Sequence, residues 1–175
     1  MREVSDIDVL IIMGSKSDEE VASNAISLLK YFKISYEVRI ASAHRTPNKI
    51  KEIIECVENR GCKVIIAIAG MSAALPGVIA SKTYLPVIGV PVPGGSLGQG
   101  MDALLSIVQM PRGVPVGCMS MGNSGACNAA LYAVRILALR DSELKARLNL
   151  WKVFQAMGID RDDREILEKY SNEEE

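Results

Sequence analysis

Three short runs of this chain are apolar almost without interruption, and they constrain its fold more than any other feature. They are Val9–Met13 (VLIIM), Lys63–Ala69 (KVIIAIA) and Pro86–Pro91 (PVIGVP). A strand with one wet face alternates apolar with polar residues, whereas a strand covered on both faces does not. Each run is too short for a buried helix and is bounded by glycine or proline. Two more runs join them. Tyr36–Ala41 (YEVRIA) alternates, and Val114–Met121 (VPVGCMSM) carries Pro115 near its start, where a missing N–H is tolerated.

Helical stripes separate these runs. Val21, Ala25, Leu28, Leu29 and Phe32 share one face of a helix over 18–33. Thr46 and Pro47 read as N-cap and first residue of the next helix, whose stripe is Ile50, Ile53, Ile54 and Val57 and whose C′ residue is Gly61. A loop over 70–77 opens a short helix to about Thr83. A glycine-rich loop, Pro93–Met101, leads into Asp102–Met110, and Ser124–Leu139 is an alanine-rich helix, apolar nearly all round. Five strands alternating with helices predict one α/β domain, a parallel sheet covered on both faces in a flavodoxin-like or Rossmann-like layer fold.

Leu144–Met157 and Arg164–Tyr170 read as two further helical stretches beyond what one such layer needs. With the apolar helix 124–139 they predict subunit packing, with the residues from about 141 onward as a helical oligomerisation tail. Trp151 reads as a packing anchor there. Lys145 and Arg147, close to Asp141 and Glu143, read as a solvated face.

Composition narrows the function classes. Twenty Lys and Arg against 21 Asp and Glu leave a net charge of −1, which argues against a nucleic-acid binder held by a basic face. The single histidine excludes sites built on two or more imidazoles. Cys56, Cys62, Cys118 and Cys127 form no Cys-x-x-Cys and read as small buried core residues in a reducing compartment. The N-terminal MREVSDIDVLIIM reads as no signal peptide, and no apolar stretch is long enough to span a membrane, so a cytosolic protein is expected.

In an open α/β sheet, ligands bind beyond the carboxyl ends of the strands. Gly14-Ser15-Lys16-Ser17-Asp18 follows the first buried strand and opens a helix, a setting in which N–H groups and hydroxyls hold phosphate. The same residues also make an ordinary capped turn. Ser42-Ala43-His44-Arg45-Thr46-Pro47 sets the only histidine beside an arginine. Guanidinium suits phosphate or carboxylate, and imidazole, with a reference pKa of about 6.5, suits proton transfer near neutral pH. The bland alternative is a histidine bonded within its own turn. Gly94-Gly95-Ser96-Leu97-Gly98 matches a nucleophile elbow, but no histidine follows Ser96, so a loop covering a ligand is the better expectation.

At these loops the sequence resembles a known family. GSKSD, SAHRTP, LPVIGVPV, DALLSIVQMPRGVPVG and NAAL, in this order between about Val9 and Trp151, are similar to the PurE family of de novo purine biosynthesis. The resemblance implies a flavodoxin-like α/β/α subunit in a homo-octamer, with no metal and no organic cofactor. Its product is 4-carboxy-5-aminoimidazole ribonucleotide. Class I members move a carboxylate from N5 of N5-carboxyaminoimidazole ribonucleotide to C4; class II members carboxylate 5-aminoimidazole ribonucleotide with CO2.

Residue by residue, the resemblance implies that Ser15, Ser42 and Arg45 contact the nucleotide phosphate and Asp18 the ribose. It makes His44 the general acid/base. Gly70 and neighbouring amides line the CO2 site, and Met110 and Pro111 help form the base pocket across a subunit boundary. Ser17, Ala43, Met71, Ser72, Ala74 and Leu75 complete the substrate-contacting set.

The chain departs from class I at one place. Class I usually reads AGGAAHLPG after the third strand, whereas residues 69–77 read AGMSAALPG, with Ala74 where a second histidine is expected. Ser72, Ala74 and Leu75 match the class II pattern AGRSNALSG, while Arg45 and SIVQMP match class I. The mutase is the leading expectation and direct carboxylation the alternative. The loop also resembles one in LarB, a PurE-related carboxylase of a pyridinium mononucleotide that lacks SAHRTP. A non-catalytic flavodoxin-like binding module is the alternative from another class.

Overall fold

The structure is a computed structural model that describes residues 6–94 and 98–171. Its centre is a five-stranded, wholly parallel sheet in the order β2-β1-β3-β4-β5. The strands are β1 (Val9–Met13), β2 (Tyr36–Ile40), β3 (Val64–Gly70), β4 (Val87–Val92) and β5 (Gly117–Cys118). This is the flavodoxin-like order, with its switch point between β1 and β3. The expected three-layer fold is therefore found.

The continuous apolar strands take the centre because only there are both faces covered. Every residue of β1 is buried, as are Val64–Ala69 of β3 and Val87–Pro91 of β4. The alternating β2 takes an edge, and its residues are half-buried or exposed. Leu10, Ile12, Ile65, Ala67 and Val87 pack on one face with Ile50, Ile53, Ile54 and Val57 of α2 (Pro47–Glu58), Leu75 and Ile79 of α3 (Leu75–Ala80), and Ala103 and Ile107 of α4 (Met101–Val108). Each buried valine, leucine or isoleucine among them contributes about 1.5–3 kcal/mol by leaving water. The alternate sheet residues face α1 (Glu19–Tyr31) and α5 (Gly122–Leu137).

Gly125 lets α5 approach closely. A Cβ there would overlap the Ser120 carbonyl and lie 3.3 Å from Val90 Cγ1. The small-residue face of α5 (Gly125, Ala126, Ala129, Ala130, Ala133) is thus buried within its own chain. Alanine and glycine on this face are there for backbone approach to the sheet, while Tyr132 of the same helix is 46% exposed.

Four expectations change. The fifth strand is two residues long, not eight. Pro115 has no N–H to give, and beyond Cys118 only the N–H of Met119 reaches the Gly89 carbonyl, at 2.9 Å. The two tail stretches form one helix, α6 (Ser142–Ser171), with Gly158 inside it. An interior glycine costs about 1 kcal/mol relative to alanine, too little to break a helix flanked by good helix formers. Of the cysteines only Cys62 is buried; Cys118 and Cys127 are half-buried and Cys56 is exposed. Arg147 also departs from a simple solvated face, since its Nε is buried without a hydrogen-bond partner.

The chain divides into two compact units, Met1–Val134, which holds the sheet, and Arg135–Glu175, which holds α6. No helix among the described residues is long and apolar enough to cross a membrane. Ser96 and the centre of the glycine-rich loop lie outside the described residues.

Candidate functional site

The sheet order brings three loops together. β2, β1 and β3 are neighbours, and their register sets Ile40 beside Met13 and Met13 beside Ile68. The segments that leave their carboxyl ends therefore start side by side. They surround a cleft of about 520 Å³ lined by Gly14, Ser15, Ser17 and Asp18, by residues 42–45, and by residues 69–75.

The first loop is organised by a buried carboxylate. The Ser15 N–H donates to Asp18 Oδ2 at 3.1 Å, and the Ser17 hydroxyl donates to Asp18 Oδ1 at 3.3 Å. Ser15 Oγ accepts from the Ser17 N–H at 3.3 Å, which completes a reciprocal capping box. Asp18 is 6% exposed, the one buried charged residue among those described. Burial raises its pKa above the usual 3.8, against the bonds from Ser15 and Ser17 that favour the anion. A carboxylate held in this way suits a ligand that offers hydroxyl donors.

The second loop is tied by Thr46. Its hydroxyl accepts the Ser42 N–H at 2.9 Å and donates to the Ser42 carbonyl at 3.3 Å. The same carbonyl accepts the Thr46 N–H at 2.9 Å. Thr46 is the N-cap of α2, with Pro47 after it as expected, but its side chain makes no cap bond. Ser42 Oγ in turn accepts the N–H of Arg45 at 3.2 Å and its Nε–H at 3.4 Å. This fold-back presents His44 exposed at the apex, and no described residue hydrogen-bonds its ring. The alternative of a histidine satisfied inside its own turn is therefore not what the structure holds.

The third loop is strained. Its turn is closed by the Ala73 N–H donating to the Gly70 carbonyl at 3.0 Å. Met71 and Ala73 take left-handed φ values of +56° and +31°, each costing about 1–3 kcal/mol for an L side chain. Met71 is also 67% exposed at the cleft. Gly70 sits where a Cβ would lie 3.3 Å from the Val92 carbonyl oxygen, so a small residue lets β3 and β4 close at the base of the loop.

The cleft collects every site residue expected from the sequence except Met110 and Pro111. Those two are expected to act across a subunit boundary; within this chain Met110 lies beside α3, where a Cβ on Gly77 would be 3.0 Å from its Cε. Sequence reasoning missed Lys16, Thr46 and Lys49, which line a shallower depression that shares Gly14, Ser15, Ser42 and Arg45 with the cleft. The signal was present in the lysines: one follows Ser15, and the other sits in the first turn of α2. Together with Arg45 they make this end of the site cationic, which suits a phosphate. No group of three or more His, Cys, Asp or Glu that could hold a metal occurs among the described residues.

A family model described as AIR carboxylase matches residues 8–157. The N5-carboxyaminoimidazole ribonucleotide mutase of Escherichia coli K12 is 50% identical over 147 residues, covering 84% of this chain and 86% of that protein. The enzyme of the same name from Brucella melitensis is 50% identical over 153 residues, covering 87% of this chain and 94% of that protein. Among solved structures, Treponema denticola PurE superposes with a TM-score of 0.81 at 34% identity, covering 90% of this chain and 96% of that one.

Proposed function

The chain belongs to the AIR carboxylase family, and on that premise we propose that it is an N5-carboxyaminoimidazole ribonucleotide mutase of purine biosynthesis. The observation that carries the reading is one cleft in which a cationic, hydroxyl-rich end and the exposed imidazole of His44 meet the loop after β3. The mutases of Escherichia coli and Brucella melitensis support the donor, since half their aligned residues are shared.

The substrate phosphate binds Ser15, Ser42 and Arg45, with Lys16 and Lys49 adding charge, and the ribose hydroxyls donate to Asp18. The bond between N5 and the carboxylate carbon breaks, its electron pair stays with N5, and His44 supplies the proton N5 takes up. The CO2 released lies against Gly70, Met71, Ser72 and Ala74. C4, nucleophilic as part of an enamine, attacks that carbon, and His44 takes the C4 proton. One histidine thus serves both transfers, and the cleft contributes mainly by holding CO2 and C4 in contact.

We also propose that the chain is one functional domain whose segment from about 141 onward serves assembly as a cytoplasmic homo-octamer. The support is a row of exposed apolar side chains on α6, among them Leu150, Val153, Phe154 and Met157. Light scattering on the purified chain tests the assembly.

Direct carboxylation keeps one observation in its favour, Ala74 in the cleft where class I has a second imidazole. Purified protein offered each nucleotide, with and without bicarbonate, decides between the two. Product from N5-carboxyaminoimidazole ribonucleotide alone is the expected result. Product only from 5-aminoimidazole ribonucleotide plus CO2 would sink the mutase assignment.

A further inference from the structure

We propose that Met71 is the cap of the CO2 site, the side chain that keeps the released molecule from escaping before C4 captures it. The proposal rests on the CO2 chemistry assigned above.

Three observations converge on Met71. Its backbone is left-handed, at φ +56°, where glycine fits without strain and a side chain does not. Two residues on comes a second left-handed residue, Ala73, so two of the four non-glycine residues with positive φ among those described fall in this one turn. Both line the cleft, and Met71 is 67% exposed there while its neighbours Ala73 and Leu75 are buried. The turn therefore holds a large apolar side chain at the cleft, on a backbone that disfavours any side chain.

The chemistry says what such a side chain does. CO2 is small, uncharged and without a hydrogen-bond donor, so ion pairs do not retain it. It is held by walls. Gly70, Ser72 and Ala74, which also line the cleft, are small. Met71 is the one residue of the loop with a long, flexible, polarizable side chain, able to fold over a ligand that fills the cleft. Closing this side excludes water and keeps CO2 within reach of C4.

The test follows the carbon. Unlabelled N5-carboxyaminoimidazole ribonucleotide is turned over in carbon-13 bicarbonate, and label in the product is read by mass spectrometry beside released 5-aminoimidazole ribonucleotide. Wild type should give product that is mostly unlabelled. Met71→Gly, which relieves the backbone, should melt no lower than wild type and raise the labelled and released fractions roughly tenfold. Met71→Leu should return both close to wild type. Met71→Ala, which keeps the strained backbone, should leak as Met71→Gly does.

A folded Met71→Gly that partitions like wild type overturns the proposal, and so does Met71→Leu leaking as much as Met71→Gly. If wild type consumes only 5-aminoimidazole ribonucleotide and CO2, the mutase reading falls separately. The cap is then read from half-saturation by CO2: a rise in Met71→Gly supports it, and no change overturns it.

Discussion

The Thr46 hydroxyl accepts the Ser42 N–H at 2.9 Å and leaves the N-terminus of α2 without a side-chain cap. This bond folds the loop so that His44 and Arg45 stand between its two ends. Thr46→Val should therefore lower kcat/KM about tenfold while costing about 1 kcal/mol of stability. Thr46→Ser should restore both. Steady-state kinetics and urea unfolding on the same samples check this. A loss of stability with unchanged turnover would show that the loop holds its shape without Thr46.

His44→Asn keeps a polar side chain of similar reach and removes the proton relay. Because the ring bonds to no described residue, the melting temperature and assembly should not move. Turnover should fall by about 10²–10⁴. Retained activity in a folded variant would assign the proton transfers elsewhere.

Asp18 gives a pH dependence with a definite sign. Burial raises its pKa in the folded protein above the usual 3.8, so folding favours the protonated carboxyl. That contribution is complete below the unfolded value and is lost as pH rises through the folded one. Asp18→Asn removes the titration. The stability of wild type relative to Asp18→Asn should therefore decline as pH rises above the usual carboxylate value of 3.8, measured by urea midpoints. A flat or rising difference would mean that the bonds from Ser15 and Ser17 outweigh burial.

The cysteines should separate by exposure. Cys56 is exposed, whereas Cys62 is buried and burial pushes its thiol pKa up. An alkylating reagent at neutral pH should modify Cys56 first and Cys62 at least roughly tenfold more slowly, in line with its scarcer thiolate. Peptide mass mapping reads the order. Equal rates would indicate that the segment around Cys62, beside Asp8 and Val64, opens in the native state.

Much of the fold is legible in the residues because it is decided locally. A strand buried on both faces must be apolar at consecutive positions, so VLIIM and KVIIAIA announce central parallel strands. Thr46-Pro47 likewise announces the start of a helix. The ligand-bearing loops are legible for the same reason, since parallel strands place their carboxyl ends on one side. His44, Arg45, Ser15 and Asp18 stand out there as polar residues in short segments after apolar runs.

What the residues leave open depends on contacts between distant parts of the chain. The length of β5 depends on which carbonyls of β4 lie within reach. Whether Gly158 interrupts α6 depends on a small cost set against the helix on either side. The burial of Asp18, the use of Thr46 on Ser42 rather than on its own helix, the close approach of Met110 to Gly77 and the left-handed turn at Met71 are all tertiary outcomes. Sequence by itself determined the layers, the strand identities and the chemistry available at three loops, because periodicity and turn residues act within a few positions. Only the tertiary structure decided which atoms of those loops face one another, because packing across the sheet order β2-β1-β3 sets their distances.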